Sequence, residues 1–529
     1  MLSNWTRKVS IASVKYNQIV RNSTMSLQTM FKYSPPVDRN MKVLDRSYFV
    51  TKIPLCVVKF SDPRNISVFA KDFKSDILRI PRIPHVVKLD KEQGLNEIAT
   101  QSALNENKKV KTLACDNGII PKGVLLNESI KEIKDIDSKL SPGALEFLKT
   151  TNAEILPYEY ILDYDFWKSE EILRSVLPEE FLDEIPTGFT ITGHVAHLNL
   201  RKEFKPFDAL IGQVILDKNN KIECVVDKVS SIATKFRTFP MKIIAGTTDN
   251  LVVEQKESNC TFSFDFSKVY WNSRLHTEHD RLVTQYFKPE QVICDVFGGV
   301  GPFSIPAGKK ECIVLANDLN PESYKYLLEN IRLNKVEELV KPFNCDGGEF
   351  ITESVKFLNN LRNETDTHTI KVPIKRSNNN RKKIRHKAQT EGSAAETVAT
   401  HKDIQVPLQI HHYIMNLPDS AIEFLGRFNG VFDEFRNLVT SEEDVNEIEM
   451  PWVHVHCFEK YGNDETELSD EEIQGRVHDR IIKSLNTTKE ILPVNQLNFH
   501  LVRKVSPTKP MFCVSFKLPK EIAYTKYNK

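Results

Sequence analysis

The stretch QVICDVFGGVGPFSIPAGKKECIVLANDLNPESYKYLLENIRLNKV, residues 291–336, decides the fold of this chain. An apolar run ends in Asp295 and is followed by a glycine-rich segment. A second apolar run ends in Asp318, and Asn320-Pro321 then supplies a helix N-cap and first turn before an amphipathic stretch. Strands that alternate with helices in this way predict a parallel sheet with covering helices.

The glycines after the first predicted strand would let a ligand approach the backbone, because glycine has no Cβ. Gly298 and Gly301 lie in a G-G-x-G pattern, which differs from the G-x-G-x-x-G loop of dinucleotide-binding proteins, and Pro302 favours a methyltransferase loop. Asp318 comes 23 residues after Asp295, where it could accept hydrogen bonds from ribose hydroxyls. Because NAD enzymes share that acid, these residues predict a nucleoside ligand without identifying it.

Two further strand ends place polar side chains at the same predicted edge. Asp346, followed by Gly347, ends a third run, where it would meet an adenine amino group. Three acids at successive strand ends fit S-adenosylmethionine better than NAD. The fourth run ends in Asn416 and Pro418 and continues without an aromatic residue, which favours a ring nitrogen over an exocyclic amine as the methylated atom.

The composition is that of a globular protein with about three folded units. The chain has 529 residues, a formal net charge of +1 and 40% hydrophobic residues, and its nine scattered cysteines indicate a reducing compartment without a zinc site. A final strand pair closing an otherwise parallel sheet predicts a Rossmann-like, seven-stranded class I methyltransferase domain. The predicted organisation is a basic tail (1–37), a small α/β domain (38–150), a small α+β domain (151–260) and the α/β methyltransferase domain (261–529) with a disordered insert at about 364–403.

The N-terminal tail has the composition of a mitochondrial transit peptide, since it contains several basic residues and no acid before Asp38. Met25 could serve as a second start that yields an untargeted form. We therefore expect a mitochondrial matrix protein with nuclear and cytoplasmic pools. A second basic segment, residues 371–387, could be a nuclear-localisation signal, an RNA-contacting arm or a solvated loop.

Several stretches together resemble the eukaryotic and archaeal tRNA (guanine-37-N1)-methyltransferase family. They are LRIPRIPHVVKL (78–89), GHVAHLNLR (193–201), VYWNSRLHTEHDRLV (269–283), DVFGGVGPFSIPAGKK (295–310), ANDLNPESYKYLLENIRLNKV (316–336) and IMNLPDSAIEFL (414–425). The resemblance implies a monomer that transfers a methyl group from S-adenosyl-L-methionine to N1 of the guanosine 3′ to the anticodon. It also implies that the two smaller domains recognise tRNA, including its outer corner. No membrane partner is expected, because no charge-free apolar run in the sequence approaches about 18 residues.

The resemblance implies particular roles for site residues. Neutral guanine carries a proton on N1, so a base must remove that proton while negative charge grows on O6. Arg274 resembles the arginine that stabilises the charge on O6 in this family. Glu311, shortly after the glycine loop, has the spacing of the glutamate that serves as the family's base. Asn416 would hold the guanine edge or the cofactor. No metal is expected. The implied cofactor site comprises His279, Asp295, Gly298, Gly301, Asp318, Leu319, Asp346, Gly347, Asn416 and Pro418.

Three alternatives remain open at this point. The chain could methylate another RNA base nitrogen, such as the guanine amino group. It could also be an RNA-binding protein whose methyltransferase fold is catalytically silent, although the acids and Arg274 argue against this. An NAD-dependent oxidoreductase is the least favoured of the three.

Overall fold

A computed structural model describes residues 33–89, 121–229, 236, 238, 240–374, 400–433, 448–462, 468–506 and 508–524. The predicted targeting tail lies almost entirely outside these residues, so the tail and the localisation stay predictions. No helix in the described part of the chain is long and apolar enough to span a membrane. The chain forms two compact units, Met1–Gly188 with Leu200–Asn220 and Phe189–Asn199 with Lys221–Lys529.

The first unit contains a four-stranded antiparallel sheet of order β2-β3-β1-β4, formed by β1 (Thr51–Lys59), β2 (Val86–Lys88), β3 (Lys122–Leu125) and β4 (Glu154–Leu162). Its helices are α1 (Arg64–Asp72), α2 (Ile136–Lys139), α3 (Pro142–Thr150), α4 (Ser169–Val176) and α5 (Asp208–Asp217). Strand β4 pairs with β1 along all nine residues. The sheet of the predicted small α/β domain (38–150) therefore continues past residue 150, because β4 forms its edge. The three-domain division stays a prediction.

The second unit begins with two small sheets. One has the order β5-β6-β7-β8 and the other pairs β9 with β10. The strands are β5 (Thr190–Thr192), β6 (Val195–Leu198), β7 (Cys224–Lys228), β8 (Met241–Gly246), β9 (Val252–Glu257) and β10 (Cys260–Asp265).

A seven-stranded sheet forms the centre of the second unit. Its strands are β11 (Val292–Asp295), β12 (Ile313–Asn317), β13 (Val340–Phe343), β16 (His412–Met415), β17 (Trp452–Phe458), β18 (Asn498–Ser506) and β19 (Lys509–Lys517). The order is β13-β12-β11-β16-β17-β19-β18, and only β19 and β18 introduce antiparallel pairs. The predicted seven-stranded fold with its closing strand pair is confirmed.

Helices cover both faces of this sheet. They are α6 (His276–Gln285), α7 (Ser304–Lys309), α8 (Pro321–Asn334), α9 (Gly347–Arg362), α10 (Asp470–Leu485) and, near the end, the short α11 (Lys520–Ala523). Successive residues of β11 point to opposite faces, so Val292 and Cys294 enter one core cluster and Ile293 enters another. Helix α8 begins as its sequence predicts, because the Asn320 side chain accepts a hydrogen bond from the Glu322 N–H at 3.0 Å.

The predicted disordered insert is ordered at both ends. Strands β14 (Thr369–Pro373) and β15 (His401–Gln405) form an antiparallel ribbon. Ile370 and Ile404 face each other in it and enter the main core, so burial of apolar side chains stabilises these ends. The prediction of disorder across 364–403 is wrong for the ends, and the basic residues 375–399 lie outside the described residues.

Candidate active site

A cavity of about 460 Å³ lies at the carboxyl edge of the parallel strands in the second unit. Parallel α/β sheets bind ligands at this edge, because the loops there face outward together. Predicted site residues on five different segments line it, namely Arg274, His279, Gly298, Asp318, Leu319, Asp346, Gly347, Asn416 and Pro418. The fold therefore brings together most of the residues that the sequence predicted.

The glycine loop and Asp318 form one anchored unit. The Asp318 carboxylate accepts hydrogen bonds from the Gly299 and Asn320 N–H groups, each at 2.9 Å. Gly299 adopts φ +54°, which glycine tolerates, and a Cβ there would meet no atom within 4 Å. Burial raises the pKa of Asp318, although the two N–H donors oppose this shift. The loop therefore leaves open space beside a fixed carboxylate, as a ribose would require.

Asp346 occupies the third strand end as the N-cap of α9, where its Oδ1 accepts from the Gly348 N–H at 2.9 Å. Gly347 is needed for packing, because a Cβ there would lie 2.5 Å from the Phe297 ring. This capping role fixes the Asp346 carboxylate at the cavity wall, where the adenine end of S-adenosylmethionine would lie.

Asn416 supplies a polar atom that indicates a ligand. Its Oδ1 is buried and has no hydrogen-bond partner among the described residues. Buried acceptors are nearly always paired, so this oxygen favours a bound donor. The adjoining Pro418 carbonyl accepts from the Phe458 N–H at 3.0 Å, which fixes the turn after β16.

Two predicted cofactor residues lie behind the cavity and do not line it. Asp295 is fully buried and accepts a hydrogen bond from Ser304 at 2.6 Å, and burial raises its pKa to about 7 although Ser304 opposes the shift. Gly301 adopts φ +98°, and a Cβ there would lie 2.7 Å from Ile305 and 2.9 Å from Leu327. The prediction that Asp295 and Gly301 contact the cofactor is therefore corrected. Asp295 lies beneath the glycine loop, and Gly301 permits close packing of α7 and α8.

Glu311 lies at the opposite edge of the sheet from the cavity. It precedes β12, its carbonyl accepts from the Glu290 N–H, and its carboxylate pairs with Lys402 at 3.1 Å. Spacing alone could not show this, because a residue just before a parallel strand and one just after it lie at different edges. The prediction of Glu311 as the base is therefore not supported by the geometry.

Arg274 lies in a short 3-10 helix, Ser273–Leu275, before α6. The Asn272 side chain caps this turn, and the Arg274 guanidinium donates to Thr190 Oγ1 at 3.2 Å. Arg274 is thereby oriented along the cavity wall. His279, one turn into α6, is buried with Nδ1 2.5 Å from Glu257 Oε1, and its ring stacks edge to face on Phe303.

The cavity wall has two halves. The sequence predicted the half that contains Asp318 and Asp346 and missed the other half. The missed residues include His197, Lys228, Phe458, Arg503, Lys509 and Met511. Burial, assisted by Lys228 and Arg274, lowers the pKa of His197 to about 4, so this imidazole is neutral at pH 7. The basic residues give this half a positive charge, whereas Asp318 and Asp346 make the other half acidic. His197 and Lys228 lie on the paired strands β6 and β7, whereas the other four residues lie on β17, β18 and β19 of the seven-stranded sheet. Because the positions are far apart in the sequence and belong to two sheets, no local motif could have revealed them.

A buried ion network lies behind the cavity and was also missed. Arg281 donates twice to the Glu278 carboxylate, at 2.7 and 2.8 Å, and His456 lies 2.8 Å from Glu278. Burial opposes ionisation of Glu278, but these hydrogen bonds prevail and lower its pKa. Glu278, His456 and Cys513 form the one cluster of potential metal ligands within the described ranges. Since Arg281 already neutralises Glu278, we interpret the cluster as an ion network.

Glu278→Gln is expected to lower the free energy of unfolding by on the order of 3 to 5 kcal/mol, because it leaves the partly buried Arg281 and the buried His456 without a counter-charge. Urea denaturation of the full chain measures the change. The control is Glu353→Gln, which removes an exposed pair with Lys356 and should cost about 1 kcal/mol or less. Equal losses in both variants would contradict a stabilising network.

The strand order, the glycine loop and the acids after β12 and β13 define a class I S-adenosylmethionine-dependent methyltransferase. A tRNA (guanine(37)-N(1))-methyltransferase from Saccharomyces cerevisiae is 59% identical over 508 residues, covering 96% of this chain and 98% of that protein. The chain belongs to the tRNA (guanine(37)-N(1))-methyltransferase family.

Other comparisons find further similarities to this chain. Residues 253–366 match the TRM5/TYW2 methyltransferase domain, and residues 169–250 match the TYW2 N-terminal domain. A Schizosaccharomyces pombe protein of the same description is 41% identical, covering 92% of this chain and 96% of that protein. The crystal structure of Trm5b from Pyrococcus abyssi is 20% identical, with a TM-score of 0.47, covering 87% of this chain and 98% of that chain.

Proposed function

We propose that the chain methylates N1 of guanosine 37 in tRNA, next to the anticodon, with S-adenosylmethionine as the methyl donor. The observation that supports this most strongly is the cavity with two chemically different halves. Its acidic half, with Asp318 and Asp346, suits the ribose and adenine of the cofactor. Its basic half suits an anionic nucleotide that carries the accepting base.

Each side chain has a proposed task in this reaction. S-adenosylmethionine, when bound, supplies an electrophilic methyl group. The Arg274 guanidinium stabilises the charge that grows on guanine O6, because it is permanently positive and is held at the wall by Thr190. The Asn416 Oδ1, which has no hydrogen-bond partner among the residues that the structure describes, accepts a hydrogen bond from the guanine edge or the cofactor. Glu311 lies at the other edge of the sheet, so it does not take the N1 proton. As the methyl group is transferred, that proton passes from guanine to water in the open cavity. The monomeric state stays a prediction.

Incubation of the purified chain with labelled S-adenosylmethionine and unmodified tRNA tests the proposal. Transcripts with G37 should be labelled, and mass spectrometry of the digested product should show 1-methylguanosine. Otherwise identical transcripts with A37 should stay unlabelled. Equal labelling of both transcripts would contradict N1-guanine methylation, and a product methylated on the exocyclic amine would identify the reaction as that of another base nitrogen.

A further inference from the structure

One wall of the cavity lies beyond β16, on the side away from the glycine loop. Three strands form this wall. Phe458 on β17 pairs with Met511 on β19, and Met511 pairs with Arg503 on β18. The three residues therefore form one row across the sheet, and all three line the cavity. Directly paired residues share a face, so the Arg503 side chain lies beside the space that Met511 borders.

Arg503 reaches this row through an irregularity in β18. Leu501 pairs with Phe512 and Arg503 pairs with Met511, so β18 uses two residues where β19 uses one. A bulge of this kind changes the direction of the side chains that follow it. It places Arg503 opposite Met511, while Val502 packs against the buried core.

In the described part of the chain, no acidic group pairs with the charge of Arg503. The side chain is half-buried and has no hydrogen-bond or ion-pair partner among the described residues. The neighbouring Lys509 differs, because its Nζ lies 3.5 Å from Asp419 Oδ1 and 4.1 Å from the centre of the Phe458 ring. An unpaired guanidinium in a cavity wall favours an anionic ligand, and its planar fork matches two phosphate oxygens.

We propose that Arg503 binds a backbone phosphate flanking the nucleotide that enters the cavity. This inference rests on the proposed function, because the anion must belong to a nucleotide extruded from the anticodon loop. Extrusion costs free energy that contacts elsewhere must offset. A phosphate contact carries no base identity, so Arg503 supports binding without selecting guanine over adenine.

The test uses the full chain and three tRNA substrates that are identical except at the phosphates flanking residue 37. One substrate is unsubstituted, and each of the others carries a neutral methylphosphonate at one flanking position. We expect Arg503→Ala and Arg503→Gln to raise the dissociation constant of unsubstituted tRNA about tenfold. The affinity for S-adenosylmethionine should not change. With one of the two methylphosphonate substrates, the difference between wild type and variants should disappear.

Lys504→Ala is the matched control, because Lys504 is exposed, adjacent to Arg503 and outside the cavity lining. The dissociation constant of Lys504→Ala for tRNA should stay within about twofold of the wild-type value on all three substrates. If wild type failed to methylate unsubstituted tRNA, the proposed function itself would fail. If wild type were active and both Arg503 variants bound tRNA normally, only the phosphate contact would be overturned. If the Arg503 variants raised the dissociation constant equally on all three substrates, the phosphate contact would also be overturned.

Discussion

Replacing Arg274 with alanine is expected to lower the single-turnover methylation rate by about 100- to 1000-fold, the usual effect of removing one donor that stabilises a developing oxyanion. The charge on guanine O6 grows only as the N1 proton leaves, so the loss should appear in the chemical step. The affinity for S-adenosylmethionine should be kept, because Asp318, Asp346 and the glycine loop are untouched. Rapid-quench assays with enzyme in excess over tRNA measure the rate.

Arg274→Lys is the matched variant for this experiment. Lysine keeps the positive charge but loses the planar fork of the guanidinium, so its rate should lie between those of wild type and Arg274→Ala. A single-turnover rate that is unchanged in Arg274→Ala would refute the O6 role. A loss of S-adenosylmethionine binding in the same variant would assign Arg274 to the cofactor.

Asp318→Ala is expected to weaken S-adenosylmethionine binding by about 10- to 150-fold. A hydrogen bond to a charged group contributes about 1.5 to 3 kcal/mol, and the carboxylate lies where ribose hydroxyls would bind. The substitution also removes the acceptor of the Gly299 and Asn320 N–H groups, so the glycine loop loses its anchor. Isothermal titration calorimetry with S-adenosylmethionine gives the dissociation constants of the wild-type full chain and of Asp318→Ala.

Glu311→Ala provides the control for Asp318, since Glu311 is a carboxylate near the other end of the same strand. It pairs with Lys402 on the surface, so neither the affinity nor the methylation rate should change. If Glu311→Ala lost activity while Asp318→Ala bound S-adenosylmethionine normally, the assignment of the site to the carboxyl edge would be contradicted.

The central sheet and the cofactor half of the cavity were predictable from sequence because each depends on local patterns. Apolar runs mark β11, β12 and β16, and residues that follow parallel strands meet at one edge. That rule correctly placed Asp318, Asp346 and Asn416 at the cavity. The N-cap of α8 was predictable for the same reason, since Asn320 and Pro321 act on their own helix.

The remaining features depend on contacts between distant segments. The glycine-loop pattern cannot distinguish Gly299, beside open space, from Gly301, which packs against Ile305 and Leu327. Glu311 has the expected spacing but precedes its strand. Arg503 enters the cavity only because β18 contains a bulge, and a bulge has no reliable signature in one sequence.

A crystal structure of the full chain with S-adenosylmethionine tests the division of the cavity most directly. We expect the ribose hydroxyls at Asp318, the adenine beside Asp346, and the methyl group facing the space between Asn416 and Arg274. The basic half should stay free for the incoming guanosine. S-adenosylmethionine bound in the basic half, or outside this cavity, would contradict the proposed arrangement.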